Sequence, residues 1–205
     1  MAGAAICFGL LWGGGIGGFL LLLTVFLLTW ACTRLGRPRK VSLGTAEPGG
    51  RDALQVFANL GTAAALAVAF ALVWPDRRLL LAMAAALAEA AADTVSSEIG
   101  QAFGGSPRLV TNWRKLAPGT NGAITLAGTL AGVAGAVTVG LVGALMGLFA
   151  WRAFPICTGA GVAGMLADSF LGATLERRGL LGNNGVNFIS TAMSAALAVL
   201  LSLSS

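Results

Sequence analysis

The sequence predicts an all-α, polytopic membrane protein: a bundle of about six transmembrane helices, with an N-terminal half-helix as a further element, in one integral membrane domain over residues 1–205. Hydrophobic residues make up 57% of the chain and charged residues only 10%, whereas an average soluble domain is about 25% charged. The mean hydropathy is +0.84. A chain with so few charges cannot cover its own surface in water, so lipid must surround it.

Six apolar runs are long enough to cross a bilayer, because a hydrocarbon core of about 30 Å takes ~20 residues of helix. They are Gly15–Arg34, Asp52–Trp74, Arg78–Gln101, Gly122–Ala150, Ala153–Ala173 and Asn184–Ser204. The apolar stretch Met1–Trp12 is too short to span alone. The glycines between Gly13 and Gly18 predict a bend or a break there. A half-helix joined through this region and the remainder of a truncated span are both open interpretations.

Composition excludes several classes of site. Histidine is absent, which removes the commonest general base and the commonest metal ligand among side chains. The three cysteines stand alone inside apolar runs, so neither a zinc site nor a disulfide framework is indicated. The 30 glycines predict close packing between helices.

The distribution of basic residues predicts the orientation in the membrane. Ten of the thirteen Lys and Arg residues fall in or beside the first, third and fifth connections between spans. The positive-inside rule therefore places these connections in the cytoplasm. The same connections carry most of the polar motifs, so a reaction centre with access to cytoplasmic nucleotides is expected. The high pI reflects this loop charge, and no nucleic-acid partner is predicted.

Acidic residues inside the predicted spans are the strongest functional signal, since each costs roughly 2.5–3.5 kcal/mol on insertion scales. The third span contains Glu89, Asp93 and Glu98, and the fifth contains Asp168 and ends near Glu176. In one interpretation the acids are protonated, or paired with loop arginines, and only hold helices together. In the other, Asp93, Asp168 and Glu98 form an oxygen-rich pocket for Mg²⁺, which prefers carboxylates together with substrate phosphates.

A short pattern occurs twice in the same orientation. Asp93-Thr94 is followed by a loop that ends in Asn121-Gly122 at the start of the next predicted span, and Asp168-Ser169 by a loop that ends in Asn184-Gly185. Two such copies would bring two carboxylates and two helix N-termini to one site. Helix N-termini offer free N–H groups to phosphate.

The remaining polar residues of these loops and span ends complete the predicted site. No Walker motif is present. The candidate nucleotide- and phosphate-binding residues are Arg51, Arg108, Arg114, Lys115, Thr120, Asn121, Asn184 and Asn187. Polar side chains expected to support the site are Asp52, Gln55, Asn59, Thr94, Ser97 and Ser169.

Four motifs in this order resemble those of a known family. They are Gly50–Asn59, Ala92–Glu98, Pro118–Gly122 with Gly128-Thr129, and Asp168–Ala173. Over roughly residues 24–196 the chain resembles the phytyl-phosphate kinase and transmembrane-protein-19 family. In that resemblance Asp93, Glu98 and Asp168 fall at acidic family positions, and Thr120 and Asn121 fall in a polar turn.

The resemblance implies a kinase that converts an isoprenoid monophosphate to its diphosphate with a nucleoside triphosphate and Mg²⁺. It also suggests kinship with membrane enzymes that use CTP, which makes CTP the favoured co-substrate. The expected partners are an isoprenoid phosphate and membrane lipids, and an oligomer stays open. The alternatives are a CTP-dependent cytidylyltransferase that acts on a lipid phosphate, and a small cation- or proton-coupled transporter.

Overall fold

The structure, a computed structural model, describes residues 2–46 and 52–204. It confirms an all-α membrane bundle, and six of the described helices are long and apolar enough to cross a membrane. The helices are α1 (Ala2–Arg34), α2 (Arg37–Ser42), α3 (Ala53–Leu72), α4 (Arg77–Phe103), α5 (Leu126–Leu145), α6 (Phe154–Leu171) and α7 (Asn183–Leu203). A 3₁₀ turn (Trp151–Ala153) precedes α6, and a π-helical turn (Gly172–Glu176) follows it.

Helix α4 forms the centre of the bundle and contacts α1, α3, α5, α6 and α7. Its alanine-rich stretch is almost completely buried. Glycines on the neighbouring helices allow this close approach: a Cβ at Gly128 would lie 2.5 Å from the Ser96 carbonyl oxygen, and one at Gly161 would lie 2.8 Å from the Ala88 Cβ. Small residues therefore set the spacing between helices, as expected where lipid provides no hydrophobic force between them.

Helix α1 breaks at Gly15, as the glycine cluster predicts, because this residue has φ 58° and ψ −152°, a conformation that favours glycine. The two halves run in opposite directions. In the first half Gly9 lies against Val68 of α3, and near the break Gly17 lies against Leu148 at the far end of α5. The second half then returns to the end of the bundle where α4 finishes.

Two helix starts follow from local capping. Asp52 caps α3 through a reciprocal pair of bonds with Gln55: the Gln55 N–H donates to Asp52 Oδ1 (2.8 Å) and the Asp52 N–H donates to Gln55 Oε1 (2.9 Å). The prediction that a helix begins at Asn121-Gly122 is wrong. Gly122 has a left-handed φ of 72°, and α5 begins only after Thr125, whose Oγ1 accepts from the Gly128 N–H (3.0 Å).

The loop between α4 and α5 folds as a short antiparallel ribbon. Strand β1 (Arg108–Leu109) pairs with β2 (Ala123–Ile124), with Arg108 opposite Ile124. The turn before β2 packs on neighbouring elements, since Gly119 lies against Thr45 and Gly122 lies against Ala173. The loops after α1, α4 and α6 therefore meet at one end of the bundle, here called the loop end.

Candidate functional site

A cavity of about 1210 Å³ lies at the loop end of the bundle. Its walls come from both halves of α1, the first turns of α3, the last half of α4, the turn before β2, the end of α6 and the start of α7. Its volume slightly exceeds the usual range of small-molecule sites, about 300–1,000 Å³. The helices that form the bundle core thus leave room for a sizeable ligand at one end.

The cavity has two chemically different parts. One wall is apolar and consists mainly of the second half of α1, with Phe19, Leu22, Leu23, Phe26 and Trp30. The other part is polar and is formed by α4, the turn before β2, and the facing ends of α6 and α7. A ligand that fills both parts must itself be amphiphilic.

The structure brings Asp93 of α4 and Asp168 of α6 to this one cavity. The two carboxylates are near enough for each charge to act on the other. Ser190 of α7 donates a hydrogen bond from Oγ to Asp168 Oδ2 (3.2 Å), which fixes the orientation of that carboxylate. The polar part is therefore acidic, and a cation would relieve the repulsion between the two side chains.

Glu89, an intramembrane acid that was not assigned to the predicted site, lies one helical turn deeper on α4. Its side chain is 1% exposed, and its Oε1 has no hydrogen-bond partner among the described residues. The charges of Asp93 and Asp168 act on it, Ser190 is a hydrogen-bonding neighbour, and Gly164 of α6 leaves the space for it. Glu89 thus extends the acidic region from the cavity into the core.

Glu98, the third predicted metal ligand, also lines the cavity, but protein donors engage both of its oxygens. Lys40 Nζ donates to Glu98 Oε2, and Thr33 Oγ1 donates to Glu98 Oε1 (2.9 Å). Lys40 is 2% exposed and also donates to the carbonyl oxygens of Cys32 (3.0 Å) and Thr33 (2.7 Å). Glu98 and Lys40 therefore join the end of α1 and α2 to α4, and Glu98 stands apart from the pair formed by Asp93 and Asp168.

Within residues 2–46 and 52–204, no group of three or more His, Cys, Asp or Glu side chains is placed to hold a metal ion. The three-carboxylate set predicted from the sequence is thus not assembled by the protein alone. Two carboxylates with phosphate oxygens remain a usual ligand set for Mg²⁺. Its binding at Asp93 and Asp168 stays a prediction.

Three of the four basic residues predicted to bind phosphate do not line the cavity. Arg108, Arg114 and Lys115 are exposed on the ribbon between α4 and α5. The guanidinium of Arg108 donates instead to the backbone oxygen of Trp113 (2.8 Å), within the same ribbon. The three side chains therefore lie on the ribbon and not on the walls of the cavity. Arg51 lies outside the described residues.

The polar turn before β2 does reach the cavity, through Thr120 and Asn121. The Thr120 hydroxyl donates to the Ala117 carbonyl oxygen (2.7 Å), which tightens the turn. A Cβ at Gly122 would overlap Ala173, and one at Gly172 would lie 3.1 Å from the Gly122 nitrogen. The turn therefore rests directly on the end of α6, next to the π-helical turn, a feature frequent at functional sites.

At the start of α7 the side chains of Asn183 and Asn187 line the cavity. Asn184 does not, because it is one residue away from this i, i+4 face. The helix begins at Asn183 after Gly182, without a side-chain cap. The Gly185 and Val186 N–H groups donate to the Gly182 carbonyl oxygen, so the N–H groups of Asn183 and Asn184 are the ones at this helix start that an anion could bind.

Most of the predicted supporting side chains face the cavity. Those on its walls are Gln55, Asn59, Thr94, Ser97 and Ser169. Asp52 instead caps α3, as described above. Sequence reasoning missed Lys40, which reads as one member of a solvated basic cluster, and also Asn183, Ser190 and Arg34 at the end of α1. Of these, only Arg34 could have been indicated by its position, as a basic residue at the end of an apolar helix.

Comparison with known proteins agrees with this architecture. The family model for the integral membrane protein DUF92 matches residues 1–195. A membrane protein of Methanocaldococcus jannaschii is 38% identical over 195 residues, which cover 94% of this chain and 79% of the relative. Two proteins of Arabidopsis thaliana also match. Protein PGR is 31% identical, and the match covers 90% of this chain and 86% of the relative. The chloroplastic protein VTE6 is 30% identical, and the match covers 91% of this chain and 59% of the relative.

No solved structure matches the chain significantly. The family match extends over nearly the whole chain and includes every described residue that lines the cavity. The family relationship expected from the four motifs is thereby confirmed. This chain therefore belongs to the DUF92 family of integral membrane proteins.

Proposed function

We propose that the protein is a membrane kinase that transfers the terminal phosphoryl group of a nucleoside triphosphate to an isoprenoid monophosphate, with Mg²⁺ as the metal ion. The observation that carries the proposal is the division of the cavity into an apolar wall on α1 and an acidic, amide-rich part between α4, α6 and α7. An isoprenoid phosphate has the same division, with a hydrocarbon tail and an anionic head.

The chemistry makes few demands on acid or base catalysis. An oxygen of the lipid phosphate bonds to the terminal phosphorus of the triphosphate, the bond from that phosphorus to the bridging oxygen breaks, and the nucleoside diphosphate leaves. The attacking phosphate is already anionic, so the lack of histidine is no obstacle. Catalysis of such transfers depends mainly on positioning and charge neutralisation.

Asp93 and Asp168 are the residues that would hold Mg²⁺. Bound there, the ion would supply positive charge to offset the negative charge of phosphate oxygens. The residues present fit this ion, since two carboxylates from packed helices face one cavity and Ser190 orients one of them. Because residues 2–46 and 52–204 supply no third acidic ligand at this point, the triphosphate itself would complete the site.

The triphosphate would lie against the turn before β2 and the start of α7. Thr120 and Asn121 are on one side, and Asn183 and Asn187 with the first N–H groups of α7 are on the other. The side-chain amides of Asn121, Asn183 and Asn187 are neutral hydrogen-bond donors, which would suit phosphate oxygens whose charge a metal ion reduces, whereas Thr120 shapes the turn through its own bond to Ala117. CTP is the favoured nucleotide on the family resemblance, and its access requires the loop end to face the cytoplasm.

One feature favours a kinase over a transporter. Below Glu89, from Leu79 to Ala88, α4 carries only apolar side chains. The central helix therefore offers no continuation of the acidic region toward the opposite end of the bundle. A cation or proton path would need polar groups along that half as well.

The test is label transfer by the purified protein in lipid nanodiscs. Farnesyl monophosphate is incubated with Mg²⁺ and with CTP labelled at either the γ- or the α-phosphorus, and ATP, GTP and UTP are compared. We expect label from the γ-position in farnesyl diphosphate and no transfer when EDTA is present. Label from the α-position in the lipid would instead identify a cytidylyltransferase. The absence of lipid labelling with every nucleotide and with longer prenyl phosphates would refute the proposal.

A further inference from the structure

The cavity contains more acidic than basic side chains. Asp93, Glu98, Asp168 and Glu176 line it, whereas Arg34 is the one Lys or Arg on its walls among the residues that the structure describes. A lipid phosphate and a triphosphate together bring several negative charges to this space. The position of Arg34 on the cavity wall therefore indicates which of the two substrates, the lipid phosphate or the triphosphate, binds to a basic side chain of the protein.

The Arg34 side chain is exposed at the end of α1 and has no acidic partner among the described residues. Its guanidinium carbon lies 4.2 Å from the ring centroid of Trp30, one helical turn earlier, which is a cation–π contact. The nearby carboxylate, Glu98, is already bonded at both oxygens by Lys40 and Thr33. Within the described parts of the chain, Arg34 forms no ion pair. Its charge is thus left for a group that enters the cavity.

The residues that precede Arg34 show which group this is. Phe19, Leu23, Phe26 and Trp30 follow one another along the second half of α1 and form the apolar wall. From Phe19 to Arg34 the helix rises about 22 Å, somewhat more than the ~15 Å of one leaflet's hydrocarbon. A single-chain amphiphile can therefore lie along this wall with its tail inside the leaflet and its head at Arg34.

We propose that Arg34, positioned by Trp30, binds the phosphate of the lipid substrate, whose hydrocarbon tail lies along α1 between Trp30 and Phe19. This inference rests on the proposed function and assigns the two phosphate substrates to different walls. The lipid phosphate is on the α1 side, and the triphosphate is between α6, α7 and the turn before β2. A guanidinium suits the role because it binds two phosphate oxygens at once.

The kinetic test compares R34Q and R34K with R37Q and R39Q, whose arginines are exposed on α2 and do not line the cavity. For R34Q we expect KM for farnesyl monophosphate to rise about tenfold or more while KM for CTP changes less than about twofold. R34K retains charge without the planar fork, so its KM should lie between those of the wild type and R34Q. The α2 variants should match the wild type. A rise in KM for CTP alone would overturn the inference.

A binding test separates this inference from the proposed function. Equilibrium binding of farnesyl monophosphate and of farnesol is measured in detergent with EDTA and without nucleotide, so no turnover occurs. We expect the wild-type protein to bind farnesyl monophosphate about tenfold or more tightly than farnesol, and R34Q to lose that preference. R34Q should unfold at the same temperature as the wild type. Equal preference in R34Q and wild type would overturn the role of Arg34. Failure of all phosphoryl transfer, with the preference intact in wild type and lost in R34Q, would refute only the kinase.

Discussion

The two halves of α4 contribute different properties to the protein. From Leu79 to Ala88 the helix is apolar and nearly all buried, and glycines of its neighbours pack directly on it. From Glu89 to Gln101 it carries Asp93, Glu98 and several hydroxyl groups that face the cavity. Packing and the proposed chemistry are therefore separated along a single helix. Substitutions in the two halves should have effects that can be told apart.

The largest effect is expected in the polar half. Asp93→Asn and Asp168→Asn remove a charge without a change in size, so each should lower the rate of phosphoryl transfer by about a thousandfold or more, with little change in thermal unfolding. The matched control is Asp76→Asn. Asp76 caps the opposite end of α4 through the Arg78 N–H (2.8 Å), and asparagine caps equally well. Full activity in both cavity variants would show that the proposed metal site is wrong.

An intermediate effect is expected where the polar half is tied to α1 and α2. Lys40→Met leaves Glu98 without its buried ammonium partner, and the two side chains are 2% and 22% exposed. The free energy of unfolding should fall by about 3 kcal/mol, measured by denaturant unfolding in micelles. In the double variant Lys40→Met/Glu98→Gln part of this loss should be recovered, since no unpaired carboxylate remains. If the double variant lost as much free energy of unfolding as Lys40→Met and Glu98→Gln lose together, the result would argue against a direct interaction between the two side chains.

The smallest effect is expected in the apolar half, from a single methyl group. A Cβ at Gly161 would lie 2.8 Å from the Ala88 Cβ, whereas a Cβ at Gly159, on the same helix, has no atom within 4 Å. Gly161→Ala should therefore lower the free energy of unfolding by about 1–2 kcal/mol, and Gly159→Ala should leave it unchanged or raise it slightly. Thermal unfolding in micelles checks both. Equal behaviour of the two variants would contradict the packing described for α4.

The sequence predicts the spans well because apolar length is a local property. Five of the six predicted spans agree with the helices within a few residues, and the glycines around Gly15 correctly predict the break in α1. The start of α5 was misplaced because Asn121-Gly122 resembles a helix start, whereas the left-handed Gly122 and the cap at Thr125 delay the helix. Such details depend on backbone conformation that residue type indicates only weakly.

The sequence predicts the site only in part, because some of its residues are marked by local sequence and others are brought there only by the fold. Asp93 and Asp168 could be found because acids within apolar spans are costly wherever they lie. The pairing of Lys40 with Glu98 joins residues 58 positions apart, so no spacing rule indicates it. Arg108 and Lys115 were expected at the cavity from their charge, but the fold of the ribbon places them outside it. The cavity is lined by Asn183 and not by the predicted Asn184, because a shift of one residue along a helix turns the side chain to another face.

The break at Gly15 also resolves a problem of length. As a straight helix the 33 residues of α1 would extend about 50 Å, well beyond a hydrocarbon core of about 30 Å. Apolar side chains such as Phe8 and Trp12, both more than half exposed on the helix surface, would then have to leave the lipid or force the helix to tilt steeply. The reversal instead keeps both arms within the membrane's thickness, so a single glycine removes the hydrophobic mismatch of the whole N-terminal segment.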